Sequence, residues 1–194
     1  NLKNFFNLNE DKYLKEIFFL IFPEFNNLDR LDRLKKICNP SQVNKNILLA
    51  VLLIDDKDNH EYFAHKYNIA NNIKENLNLL AKNLKLSREY KDFFGKDLAK
   101  NIYLNNKNHL IDLNIINFAS NNKHKKKDFS DTLKKILQSK NNIFPIDGKH
   151  LMQKGMKEGL KLGRVLKMIE KEWIANGFKI SKNRVEEIIK LNSN

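Results

Sequence analysis

Asp56 and Asp58 stand two residues apart in the run Asp55-Asp56-Lys57-Asp58, a spacing at which paired carboxylates can hold two magnesium ions for phosphoryl transfer. That chemistry needs a rigid strand beneath the carboxylates and a phosphate-holding loop beside them. Here the aspartates follow an apolar run and no glycine occurs before Gly95, so they read as a solvated loop at a helix end. His60 and His65 are five residues apart, about 140° around a helix, and cannot share a metal as two histidines on one face do. Gly148-Lys149 lacks both the glycine five residues earlier and the following Ser or Thr of a nucleotide-cradling loop. No Ser/His/Asp or Cys/His constellation is legible from spacing.

Phe144 to Phe178 is different in kind. It holds five of the six glycines and the single tryptophan. On a helix, Val165, Leu166, Ile169 and Trp173 fall within about 60° of Leu162, an apolar stripe suited to a core. Lys157, Lys161, Arg164, Lys167 and Lys171 fall opposite, between about 140° and 260°, if the helix reaches back that far. Glu158, Glu170 and Glu172 flank that arc without entering it, whereas an ordinary solvated face mixes signs. The arc therefore reads as a phosphate-facing stripe. Gly155 and Gly159 are expected to shape the turn before this helix, leaving backbone N–H groups free at its start to meet an anion. Gly163, inside it, costs about 1 kcal/mol against alanine, so another backbone is expected to pack closely there. The glycines alone are equally compatible with a purely structural turn.

The elements that must position these residues are helical. Three prolines, six glycines and apolar patterns of period near 3.6 predict an all-α chain. Helices are expected at 10–22, 27–37, 41–55, 59–68, 70–84, 87–94, 96–105, 108–120, 129–139, 148–154, 158–177 and 182–191. The predicted architecture is a compact array of short helices, the body, followed by a small helical tail. Ser120 to Ser130 is the most polar stretch and the expected linker. The division that follows is a body at 1–122, a linker and connecting helix at 123–142, and a glycine-bearing tail at 143–194. Lys123 to Lys127 is a basic cluster that either touches RNA phosphates or is a solvated linker.

With 194 residues and 41% hydrophobic content, the chain can bury a sizeable core. The lone Cys38 forms no internal disulfide and excludes a two-cysteine metal site, so a reducing, cytoplasmic setting is expected. The runs Ile17–Phe22 and Ile47–Ile54 fall well short of the ~20 residues that span a bilayer. Neither they nor the start of the chain reads as a membrane span or signal peptide. A formal charge of +13 and pI near 9.7 point to a polyanionic partner. Heavy asparagine and lysine usage accounts for part of that charge as compositional bias.

The segment from Phe144 resembles the C-terminal motif of bacterial CCA-adding tRNA nucleotidyltransferases and their poly(A) polymerase relatives. That motif runs Phe-Pro-x-x-Gly-x-x-Leu, two glycines four apart, Leu-Gly-x-x-Leu, a Glu, then Trp-Ile. Phe144, Pro145, Gly148, Leu151, Gly155 and Gly159 fit it in order and spacing, as do Leu162, Gly163, Leu166, Glu170, Trp173, Ile174 and Phe178. Leu160 stands where the family often has proline, a departure that loosens the turn. Upstream, the segments Leu28–Ile37, Ile47–Ile54 and Asn83–Phe94 resemble body helices of the α-proteobacterial enzymes.

The family's catalytic head carries a Gly-Gly phosphate loop, an Asp-x-Asp metal pair and a base-selecting Glu-Asp-x-x-Arg, and the chain contains no Gly-Gly. The resemblance therefore implies a body and tail that hold tRNA and are inactive alone. Mg²⁺ with CTP or ATP would act at a catalytic head on the same or a separate polypeptide. The candidate tRNA- and phosphate-binding residues are Lys149, Lys154, Gly155, Lys157, Gly159, Lys161, Arg164, Lys167 and Lys171; no catalytic or metal-ligating residue is assigned. The rival readings are a helical protein-interaction module and a general nucleic-acid-binding helical domain.

Overall fold

The computed structural model describes residues 12–25, 27–39 and 43–193. Eleven helices and no strand occur among these residues, 68% of which are helical. In chain order they are α1 (Lys12–Ile21), α2 (Asp29–Leu34), α3 (Lys45–Leu53), α4 (Asn59–Lys66), α5 (Asn71–Glu89), α6 (Leu98–Asn105), α7 (Lys107–Ser120), α8 (Lys126–Gln138), α9 (Gly148–Gln153), α10 (Leu160–Ala175) and α11 (Lys182–Ser193). The expected helix starts at residues 10 and 41 lie outside the described residues. The chain forms two compact units, divided between Ser139 and Lys140.

The first unit is organised around α3 and α7. Six of the nine residues of α3 are buried, from Ile47 to Leu53, as befits a helix that is apolar all round. Ile47, Ala50 and Val51 face one core cluster, and Leu48, Leu52 and Leu53 face a second. α7 packs against α2, α3, α5, α6 and α8 and buries Leu110, Leu113 and Ile116 completely. Each such side chain contributes about 1.5–3 kcal/mol by leaving water. Its buried amides secure its neighbours: Asn114 donates to the Phe129 carbonyl at 3.0 Å, and Asn83 meets His109 Nε2 at 2.9 Å.

Two arginines in Leu28-Asp29-Arg30-Leu31-Asp32-Arg33-Leu34 stitch this unit together. The leucines at three-residue spacing are buried. Arg30 donates to the carbonyls of Val51 (2.9 Å) and Ile54 (2.7 Å) at the end of α3. Arg33 donates to those of Phe118 (2.9 Å), Asn121 (2.6 Å) and His124 (3.1 Å) at and beyond the end of α7. Carbonyls at a helix C-terminus have no intrahelical donor, and a guanidinium supplies several at once.

The structure differs from the sequence reading in two places here. Residues 71–89 are one helix where two were expected, and the stretch expected as a helix to residue 94 runs into turns after Glu89. No Gly or Pro interrupts 71–89, and Leu77, Leu80 and Leu84 continue one buried face. The expected linker at Ser120–Ser130 is held inside the first unit: His124 N–H donates to Asn121 O, Arg33 binds its carbonyls, and α8 buries Phe129 and Ile136. Polarity marked a tight, arginine-bound turn, and the division of the chain lies after α8.

The second unit contains α9, α10 and α11 around Leu151, Met156, Val165, Ile169, Val185, Ile188 and Ile189. Trp173, 4% exposed, sits between the rings of Phe144 (centroids 5.3 Å apart) and Phe178 (4.9 Å). α10 ends with Phe178 N–H donating to Trp173 O at 2.8 Å and Gly177 N–H to Ile174 O at 3.2 Å, the paired bonds of a Schellman termination.

Candidate nucleic-acid interface

α10 is amphipathic in the sense its sequence demands. Val165, Ile169 and Trp173 are buried while Lys161, Arg164, Lys167 and Lys171 are exposed. The four cations extend over about 15 Å of helix axis, a length that spans several phosphates of one strand.

The turn before α10 follows from two glycines. Gly155 has φ +92° and Gly159 φ +141°, values that L side chains rarely adopt. Between them Met156 is buried and its N–H donates to Leu151 O at 3.2 Å, which folds the turn back on α9. Gly159 precedes the helix without any side-chain cap. Lys157 is exposed in this turn and not on the helix, which begins at Leu160. The basic arc on the helix therefore starts at Lys161. At Gly163 an added Cβ would meet nothing within 4 Å, so the close backbone approach expected there does not occur. The near contact is at Gly148, whose Cβ would lie 3.4 Å from Leu162 Cδ2.

The other candidates are placed differently. Lys154 is held in an ion pair, its Nζ 2.6 Å from Glu186 Oε1, and the Lys154 ammonium holds Glu186 below the usual carboxylate range. Lys149 is exposed on α9, whose start is capped by Asp147 accepting from His150 N–H at 2.9 Å. Glu172, on the flank of the basic arc, is gripped by Arg184 through two bonds of 2.7 and 3.0 Å; that hydrogen bonding lowers the glutamate.

Charge alone concealed one feature of the face. Leu160 and Met168, 84% and 50% exposed, fall within the same basic arc, offering apolar contact between cations. Helical spacing places them there as firmly as the lysines.

The cluster at Lys123–Lys127 belongs to the first unit. Its lysines are exposed, whereas His124 is half-buried and meets Asn117 Nδ2 at 3.2 Å. Asp56 and Asp58 are exposed, and Asp56 lies 3.7 Å from Arg88 Nη1. His60 is buried while His65 is exposed. Among the described residues no group of three or more His, Cys, Asp or Glu side chains could hold a metal, and no helix is long and apolar enough to cross a membrane.

No protein-family model matches this chain, and no curated protein or solved structure is similar to it.

Proposed function

We propose that this chain is the tRNA-holding helical portion of a CCA-adding nucleotidyltransferase or of its poly(A) polymerase relatives, acting in the cytoplasm and inactive alone. The observation that carries the reading is the single-sign face of α10, with Lys161, Arg164, Lys167 and Lys171 exposed opposite a buried stripe and behind an uncapped helix start. Lysine would bind phosphates as a point charge and arginine through its planar fork, and the backbone N–H of Leu160 would donate to one phosphate oxygen. Leu160 and Met168 would rest on ribose surfaces. Such contacts read the shape of a folded RNA more than its sequence.

Mg²⁺ and the nucleoside triphosphate belong, on this reading, to a head outside this chain.

Titration of the full chain with tRNA and with duplex DNA over a range of salt tests the reading. tRNA binding should weaken by about one log unit in affinity per log unit of salt for each phosphate contacted, and duplex DNA should bind far more weakly. Equal affinity for duplex DNA supports a general nucleic-acid binder, and no binding of either supports a protein-interaction module.

A further inference from the structure

The corner between α6 and α7 is held to α5 by a ladder of side-chain amides that ends on a histidine. Asn105, the last residue of α6, donates from Nδ2 to the Asn101 carbonyl at 3.2 Å. Asn83 of α5 donates from Nδ2 to Asn105 Oδ1 at 3.0 Å and meets His109 Nε2 at 2.9 Å. Asn83 and His109 are both buried. Asn106, between the two helices, has φ +67° and accepts from the His109 backbone N–H at 3.0 Å.

The ladder runs in one sense only. A backbone carbonyl can only accept, so Asn105 must turn its NH₂ to Asn101 and its oxygen to Asn83. Asn83 must answer with its own NH₂, whose other hydrogen is left for His109. That hydrogen requires a bare Nε2, so the imidazole is neutral with its proton on Nδ1. A proton added at Nε2 sets two donors face to face. Were Asn83 to turn over, its oxygen would meet Asn105 Oδ1; were Asn105 to turn over as well, its oxygen would meet the Asn101 carbonyl. No arrangement of these amides accommodates the charged ring, and an unpaired buried donor or acceptor is costly.

Burial holds the ring below the ordinary imidazole value of 6.5, with no pull from a carboxylate or cation of α7 or of α2, α3, α5, α6 and α8 packed against it. Lys82 and Lys85 on α5 and Lys100 on α6 are exposed, and Lys107 donates to the Leu137 carbonyl at the end of α8. Asp112, one turn along α7, is itself pushed up to about 6 by burial. The unfolded chain takes a proton at this histidine before the folded chain does, so the stability the neutral ring supplies is complete above 6.5 and lost as pH falls below it.

We propose that His109 is an acid-sensitive latch: neutral, it ties α5 to the α6–α7 corner through Asn83, and protonated at Nε2 it breaks that tie and loosens the corner. The inference is independent of RNA binding by α10.

NMR of the full chain in an Asp112→Asn background, where the neighbouring carboxyl no longer titrates, tests it. The ring nitrogen shifts of His109 should show a bare Nε2 and a protonated Nδ1 at neutral pH. Between about pH 7 and about pH 4.5, amide exchange should quicken at least about tenfold more at residues 105–110 than at residues 47–53 of α3. Asn105→Leu keeps the site dry but removes the fixed acceptor, which frees Asn83 to turn its oxygen to the charged ring. His109 should then titrate closer to 6.5, and the excess exchange should vanish. Should that variant not fold, Asn105→Ala carries the same expectation. A proton on Nε2 at neutral pH, a His109 titration unmoved in the folded Asn105 variant, or no acid-dependent excess of exchange at the corner would overturn the proposal.

Discussion

The guanidinium of Arg33 lies over the ring of Phe118, 4.9 Å from its centroid, while Nε and Nη2 donate to the Phe118 carbonyl and Nη2 also to Asn121 and His124. One side chain from α2 therefore closes the end of α7 and the turn into α8. Part of the chain's positive charge is consumed in holding the fold. Net charge overstates the cations available to a partner.

Arg33→Ala should leave those carbonyls without their donors and destabilise the chain by about 2–4 kcal/mol. Arg33→Lys should recover less than half of that, because an ammonium cannot reproduce the planar fork or lie flat on the ring. Chemical denaturation of the three proteins measures both. A lysine variant as stable as the parent would show that charge alone matters.

Trp173 is enclosed by Phe144 and Phe178, so Trp173→Ala should cost about 3–5 kcal/mol. RNA affinity and melting temperature should fall together. A tenfold affinity loss at unchanged melting temperature would instead assign the indole to base stacking.

Replacing Lys161, Arg164 and Lys167 with glutamine tests the basic face directly. All three are exposed, so folding should be nearly unchanged. The log–log salt slope for tRNA binding should shrink by about two to three, with weakening across tRNA species. Glutamine at Lys125, Lys126 and Lys127 is the control for charge alone. Equal losses in the two triple variants would deny α10 any special role.

Burial pushes Asp112 on α7 up to about 6 from an ordinary value of 3.8. Between those values the folded chain keeps a proton that the unfolded chain has lost. Stability from this site therefore falls as pH rises through that window and is level above it. Asp112→Asn should remove the slope and, because the group is partly solvated, raise stability at pH 7 by about 1 kcal/mol. Denaturation between pH 4 and pH 7 reads the difference; an unchanged slope in the variant would place the titration elsewhere.

Periodicity determined a good deal by itself. The apolar spacing of Val165, Ile169 and Trp173 dictated both the buried side of α10 and, by exclusion, the exposed cationic one, because helical geometry converts sequence offset directly into angle. The same holds for α3, too apolar to be anything but central. Gly155 and Gly159 were legible as turn residues, since few other residues tolerate their backbone angles. Tertiary structure decided what depends on contacts between residues far apart in the chain. Lys154 is tied to Glu186, 32 residues on, and Arg33 to carbonyls some 85 to 91 residues away, pairings that no local pattern encodes. Gly163 looked like a packing glycine because its cost demands a reason, yet nothing comes near it. The contact of Asp56 with Arg88 was equally hidden: the two lie 32 residues apart in the chain, and only the fold brings their side chains to 3.7 Å.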